Sequence, residues 1–338
     1  MKKSNALSFA LLLVGSATGL LADSATGTLF YTTFSGGVDV HKVNYNYDGI
    51  STFLLSGITD VATTVGADGI LFAPDGNLLV AGQGNNHVTE VTTAGAIVGS
   101  PVDAGTGSYH LALQSNANNA LLYNMWNGSG SGGSTSISAL QLSGGGLSAA
   151  GIAYTVSCST GCSTDVRGVI WDPINSKWYY GTAPDGGSGD FGTVVFNDVS
   201  HTATLTRLQT GLWAHGLSFD PFTGDVIVNS GNTIQQLNAA GAVLSTATGP
   251  GSFDQAAEDG NGHMFVASNS GNLEFIDYRA TGLIGAGANF TAAPFLAGSL
   301  DDIAPLSGAG SPVPEPASVV LLGTIAALVS YRLRRKLA

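Results

Sequence analysis

One local pattern recurs along this chain and constrains its fold more than any other feature. A polar residue opens an alternating apolar run. A turn of Pro, Asp, Gly or Asn follows, and then a second apolar run. The copies are Asp68 to Val80, Tyr109 to Tyr123, Arg167 to Tyr180, His215 to Val228 and Asp254 to Val266. Their starts lie 41, 58, 48 and 39 residues apart. The turn chemistry fits: proline presets φ, and glycine and asparagine accept positive φ. Alternation gives each run one face to bury. A unit of this length cannot bury that face alone, so copies must stack on one another. A period near 40–50 residues marks the blades of a propeller.

The two ends of the pattern complete each other. A sixth copy begins at Asp301-Asp302-Ile303 and has no second run after it. Thr28-Leu29-Phe30-Tyr31-Thr32 looks like a second run with no first run before it. Joining them in one blade closes a ring of six. The expected fold is therefore all-β, a six-bladed β-propeller closed by its N- and C-terminal strands. Closure also removes the exposed sheet edges that template aggregation. The longest interval holds the Gly/Ser tract Asn127 to Ser136 and the pair Cys158 and Cys162, which read as an insertion. No long amphipathic helix occurs between 26 and 310. A pair of β-sandwiches or a β-solenoid is the alternative; solenoid repeats are usually shorter and more regular.

Composition excludes several other classes. Charged residues make up 10% of the chain, against about 25% in ordinary domains. With 44% hydrophobic residues this is not a disordered composition. Two cysteines cannot make a disulfide scaffold. The net charge of −12 combines two populations. Lys2 and Lys3 stand at one end; Arg332, Arg334, Arg335 and Lys336 stand at the other. Between them, leaving out Glu315 of the C-terminal segment, five basic residues face 22 acidic ones, a net of −17. So acidic a chain has no electrostatic footprint for nucleic acid and disfavours direct binding of polyanions.

Both ends read as addresses. Residues 1–25 look like a secretory signal. Lys2-Lys3 is followed by the apolar run Phe9 to Val14, then by small residues with cleavage points after Ala17, Ala22 or Ala25. Residues 311–338 have three parts in order. A proline-rich Ser311-Pro312-Val313-Pro314-Glu315-Pro316 precedes the uncharged stretch Ala317 to Tyr331, and Arg332-Leu333-Arg334-Arg335-Lys336 ends the chain. Fifteen residues of helix cover roughly 23 Å, short of a ~30 Å hydrocarbon core. Snorkelling by Arg332 extends the reach, and the basic tail stays cytoplasmic. The prolines keep the preceding peptide extended.

This arrangement resembles the PEP-CTERM sorting signal of Gram-negative bacteria. The resemblance covers residues 312–338. It implies that Val313, Pro314, Glu315, Pro316, Arg332, Arg334, Arg335 and Lys336 are recognition residues for an exosortase-like membrane enzyme. It further implies a transient inner-membrane anchor, then release to the cell envelope or outside, often alongside exopolysaccharide and matrix. Residues 26–310 are then the ectodomain. In architecture it resembles secreted six-bladed propellers of the NHL-repeat and lactonase-like kind, including virginiamycin B lyase-like proteins.

In a propeller the starts of the innermost strands ring the central channel. Here those positions are Asp68, Tyr109, Arg167, His215, Asp254 and Asp301, with His110 and Asp302 beside two of them. One reading is a polar mouth for a small ligand or for a hard cation such as Ca²⁺ on Asp254 and Asp301, with His215 as general base. The plainer reading is a set of solvated residues bonded to one another. The metal-binding Glu, Asn and Asp set of lactonase-like propellers has no residue-by-residue match here, so no catalytic residue and no cofactor is assigned. Cys158 and Cys162 are expected to form a small loop-closing disulfide in an exported protein, because a zinc pair would need two further ligands nearby. Asp75-Gly76-Asn77 and Asp259-Gly260-Asn261-Gly262 read as turns. The tryptophans Trp126, Trp171, Trp178 and Trp213 read as blade-core packing, with sugar stacking as the alternative. No Gly-x-Ser-x-Gly elbow and no phosphate loop is present. The leading expectation is an exported binding or interaction module. The alternative is a lactonase- or lyase-like enzyme with a metal in the channel.

Overall fold

The structure is a computed structural model. It describes residues 24–304 except 34–37, 65, 84, 105–106, 115–119, 125–135, 145, 160, 185–187 and 292–299. The expected signal up to residue 23, the sorting segment 311–338, Trp126 and nearly all of the Gly/Ser tract lie outside the described residues.

The described chain is a six-bladed β-propeller of 24 strands. The first blade holds β1 (Ala25–Thr33), β2 (Val40–Tyr47) and β3 (Phe53–Ala62). The second holds β4 (Ile70–Phe72), β5 (Leu78–Ala81), β6 (His87–Val91) and β7 (Ile97–Asp103). The third runs through β8 (Leu111–Leu113), β9 (Ala120–Asn124), β10 (Ser136–Ser143) and β11 (Gly146–Cys158). The fourth comprises β12 (Val166–Asp172), β13 (Lys177–Thr182), β14 (Asp190–Asn197) and β15 (Thr202–Thr210). The fifth comprises β16 (Leu217–Asp220), β17 (Asp225–Ser230), β18 (Thr233–Leu237) and β19 (Val243–Thr248). The sixth comprises β20 (Phe253–Glu258), β21 (His263–Ser268), β22 (Leu273–Asp277) and β23 (Ala288–Thr291). Finally β24 (Leu300–Ile303) pairs antiparallel with β1, with Tyr31 opposite Ile303. The terminal strands thus share the first blade and close the ring, as the orphan half-repeats require.

Burial falls from the inner strands to the outer ones. Every residue of β5, β20 and β21 is buried, whereas β7 is exposed along nearly its whole length. Burial on both faces disfavours charge in the inner strands, and the acidic residues they do carry, among them Asp254, Glu258, Asp301 and Asp302, are buried. Apolar clusters fill the six seams between neighbouring blades. One joins Leu29, Tyr31 and Val43 of the first blade to Phe265 and Phe275 of the sixth. Another joins Tyr179 and Phe191 of the fourth to Val226 and Val228 of the fifth. In the second, fourth, fifth and sixth blades the turn between the first two strands is held by aspartate. Asp220 Oδ1 accepts from the Phe222 N–H at 2.9 Å, and Asp172 Oδ1 from the Ile174 and Asn175 N–H groups at 2.9 Å. Asp75 and Asp259 make the same turn bond to Asn77 and Asn261.

Glycines set the spacing of the innermost strands. Gly69, Gly168 and Gly216 each follow a channel position. A Cβ on Gly216 would overlap the Asp254 carbonyl, and one on Gly69 would overlap the Tyr109 carbonyl. The next blade's backbone therefore packs against bare Cα atoms. Replacing Gly216 with Ala is expected to destabilise the protein by about 1–3 kcal/mol, the usual result of overpacking. Thermal unfolding checks this; an unchanged midpoint would contradict it.

One feature goes beyond the sequence pattern. The long outer strand β11 pairs in parallel with β15, from Thr155 opposite Thr202 to Cys158 opposite Leu205. The third and fourth blades are thereby joined at their outer edges into one eight-stranded sheet. Cys158 and Cys162 form a disulfide at the end of this pairing. Arg207 Nη1 donates to the Gly161 carbonyl at 3.2 Å, and the Ser163 N–H donates to Asp190 Oδ2 at 2.7 Å. Both contacts tie the disulfide loop to the fourth blade.

Candidate metal centre in the central channel

The ring places acidic and imidazole side chains from five blades at one end of the channel. Asp68 precedes β4, His110 precedes β8, His215 precedes β16, Asp254 lies in β20, and Asp301 and Asp302 lie in β24. Five of the six are buried; His215 is partly exposed at the mouth. His110 is the hub. Its Nδ1 lies 3.2 Å from Asp302 Oδ2 and 3.9 Å from Asp68 Oδ1, and its Nε2 lies 3.7 Å from Asp254 Oδ1. His215 Nδ1 lies 2.6 Å from Asp254 Oδ1. The two imidazole rings meet edge to face at 5.0 Å, and Trp213 stacks on the outer face of His215 at 5.2 Å.

Neighbouring groups position these residues. Gln83 Nε2 donates to Asp68 Oδ2 at 3.0 Å. Buried Thr32 donates to the Asp68 carbonyl and accepts from the Asp302 N–H at 3.0 Å. Asn229 Nδ2 donates to the Asp254 carbonyl at 2.9 Å.

The electrostatics are those of an over-acidic pocket. Burial raises Asp68 well above the usual carboxylate range, with His110 opposing and Asp302 and Asp254 adding to the rise. Burial raises Asp302 too, against the pull of His110. Burial, with Asp68 and Asp254, raises Asp301. Asp301 and Asp254 face each other side chain to side chain, and Asp301 holds the proton of that pair. Burial works against ionisation of Asp254 as well, but His215 and His110 outweigh it and hold this carboxyl below its ordinary value. Burial opposes the charge on His110; Asp302, Asp68 and Asp254 overcome it and push the imidazole up to about 10.

Four carboxylate oxygens here, Asp68 Oδ1, Asp254 Oδ1, Asp301 Oδ2 and Asp302 Oδ1, are buried and have no hydrogen-bond partner. Unmet acceptors of one sign, facing one another, are what a cation would satisfy. Two groups have the necessary convergence: Asp68, His110 and Asp302, and His110, His215 and Asp254. Within each, the donor atoms lie within 4.8 Å of one another. The residues therefore fit a divalent cation. Imidazole with carboxylate suits Zn²⁺ or Mn²⁺ better than the all-oxygen shell of Ca²⁺.

The sequence-derived ring is partly regrouped. Asp68, His215, Asp254 and Asp301 converge. Arg167 instead pairs with Asp165 beneath the mouth, with Nε to Oδ1 at 3.1 Å and Nη2 to Oδ2 at 3.2 Å. Tyr109 stands at the edge, where burial and Asp68 raise its phenol. His110 and Asp302, noted in the sequence only as neighbours of ring positions, join the buried cluster. Thr32, Gln83 and Asn229 carry no signal in the sequence, since nothing marks a lone Thr, Gln or Asn as a bracing group. Trp213 also departs from expectation: it covers His215 at the mouth and does not pack in a blade core.

No family model and no curated protein matches the sequence. Similar folds occur among solved structures. The PQQ-bound aldose sugar dehydrogenase of Streptomyces coelicolor matches with a TM-score of 0.53 and 15% identity, over 73% of this chain and 87% of that one. A protein of unknown function from Bacteroides caccae matches with a TM-score of 0.52 and 11% identity, over 83% of this chain and 98% of that one. A gluconolactonase from Xanthomonas campestris has a TM-score of 0.48 and 13% identity, over 74% and 90% of the two chains. These likenesses are of fold.

Proposed function

We propose that this chain is an exported propeller enzyme that holds a divalent cation in its central channel and hydrolyses a small ester- or lactone-like molecule at the mouth. The reading is supported by Asp68 Oδ1 and Asp254 Oδ1, both buried and without a hydrogen-bond partner, which lie 3.9 and 3.7 Å from the His110 ring nitrogens, with Asp302 Oδ2 3.2 Å from the same imidazole. An interaction module has no need of such a cluster, which makes burying charge costly unless something neutralises it. In this reading Asp68, His110 and Asp302 hold the cation. What the cation supplies when bound is polarisation of a substrate oxygen. His215 is the general base. Asp254 fixes its Nδ1 side and Trp213 its ring plane, and His215 Nε2 takes the proton of an attacking water.

The test is a panel of lactones and aryl esters offered to metal-stripped and metal-loaded protein. Metal-dependent turnover that falls about 10²–10⁴-fold in His215→Ala is expected, the usual share of a general base. Metal-loaded protein that turns over nothing, or a fully active His215→Ala, would overturn the reading.

The ends of the chain belong to the same proposal. A leader within residues 1–25 directs export, and Pro314-Glu315-Pro316 with the basic tail presents the precursor to an exosortase-like enzyme in the inner membrane. The mature ectodomain then reaches the envelope or matrix. Deleting Arg332 to Lys336 is expected to leave full-length precursor in the membrane fraction. Normal processing of that deletion, followed by immunoblot, would refute the sorting role.

A further inference from the structure

A second cavity lies between the third and fourth blades, away from the channel ring. It is a cleft of about 760 Å³, within the usual range of small-ligand sites of about 300–1,000 Å³. Residues of β10, β11, β13 and β14 line it, together with Trp171 and the turn that follows it. Trp171 and Trp178 lie opposite each other beside the turn that ends β12, whereas the channel residues stand at the start of the innermost strands. The cleft therefore belongs to the other end of the blade.

The wall of the cleft is aromatic. Trp178, Tyr154 and Phe196 pack into the seam core, and Trp171 lies over Trp178 with ring centroids 5.4 Å apart and a 55° tilt. Trp178 and Tyr154 are buried, but Trp171 keeps part of its surface exposed. The rim is polar: Gln141, Lys177 and Asp198 are exposed, and Gln114 lines the same space. Tyr154 donates its hydroxyl to Asp198 Oδ1 at 2.9 Å and so fixes one rim carboxylate.

We infer that this cleft is a binding site for a neutral hexopyranose oligosaccharide. The part of the Trp171 indole left exposed at the cleft edge offers an apolar surface that can meet the C–H face of a sugar ring. Gln114, Gln141, Lys177 and Asp198 offer both donors and acceptors at its margin, which a chain of hydroxyl groups uses and a purely apolar ligand does not. The rim charge cancels between Lys177 and Asp198. The chain between the basic termini carries five basic residues against 23 acidic ones, which repels an acidic polysaccharide. A neutral glycan is the occupant that satisfies the aromatic face, the rim and the charge together. The site does not depend on the channel or its cation.

The test uses the purified full ectodomain and three neutral probes, cellohexaose, maltohexaose and mannohexaose, with trigalacturonate as the acidic comparison. Binding is followed by calorimetry and by tryptophan fluorescence. At least one neutral hexasaccharide is expected to bind saturably, and Trp171→Ala to weaken it about 10-fold or more. Lys177→Ala and Asp198→Ala, both on the exposed rim, give the same readout if Trp171→Ala fails to fold. Asp254→Asn is expected to leave glycan binding intact, which separates this site from the channel. No binding of any neutral probe, binding of trigalacturonate alone, or full binding by all three cleft variants would overturn the inference.

Discussion

Metal-free protein is expected to lose thermal stability as the pH rises from about 5 to about 9, by about 5–10 °C, and saturating Zn²⁺ or Mn²⁺ is expected to remove most of that loss. The sign follows from the channel cluster. Asp68, Asp301 and Asp302 are all raised in the folded state, and His110 is pushed up to about 10. A group raised on folding adds stability that is complete below its unfolded value and is lost as the pH climbs through its folded value. The carboxyls start this loss just above their ordinary range, and His110 extends it towards pH 10. All four groups act in one direction. Asp254, held low, opposes them only at acid pH below its ordinary value. A cation replaces the protons the pocket otherwise needs, so it supports the fold most where protons are scarce. Differential scanning calorimetry with and without metal reads the result directly. A flat or rising metal-free profile would show that the carboxylates are not buried together as described.

Glu258→Gln is expected to stabilise the protein at about pH 9 and to change little at about pH 5. Glu258 ends the innermost strand of the sixth blade, is fully buried, and accepts a 2.6 Å hydrogen bond from Ser218 of the fifth. Burial, with the nearby Asp220, pushes its carboxyl up to about 8. The stability this proton confers is complete below the unfolded value and lost by about pH 8. Above that the parent carries a buried charge, whereas Gln keeps the acceptor for Ser218 and never ionises. At ~1.4 kcal/mol per pH unit, a rise from 4.5 to about 8 puts the gain at alkaline pH at up to about 5 kcal/mol, or several degrees in the midpoint. Metal leaves this difference unchanged, because Glu258 and Ser218 lie outside the channel cluster. A variant less stable than the parent at alkaline pH would contradict the assignment.

The blade count was legible because turns and alternation are local. Asp-Pro and Asp-Gly turns form from their own side chains, as Asp172, Asp220 and Asp75 show, and each flanking run buries one face. The closure of β24 on β1 was legible for a different reason: each terminal half-repeat lacked the strand the other supplies. The channel was legible only to within one residue. Tyr109 and His110 are adjacent at the start of β8, and successive side chains of an extended segment point opposite ways. Which of the two faces the axis depends on where the blade pleat begins, and no repeat pattern fixes that. His110 therefore took the hub position in place of Tyr109. The β11–β15 pairing was not legible at all, because it joins outer strands of neighbouring repeats across an insertion.

The account turns on whether the channel cluster holds a cation. The most direct measurement is calorimetric titration of the metal-stripped ectodomain with Zn²⁺ and with Mn²⁺ near pH 7, in buffers of different ionisation enthalpy so that protons are counted. The account predicts one equivalent bound with about one or two protons released, and affinity lowered about 100-fold or more in His110→Ala. No saturable binding of either metal, or equal binding by the parent and His110→Ala, would contradict it.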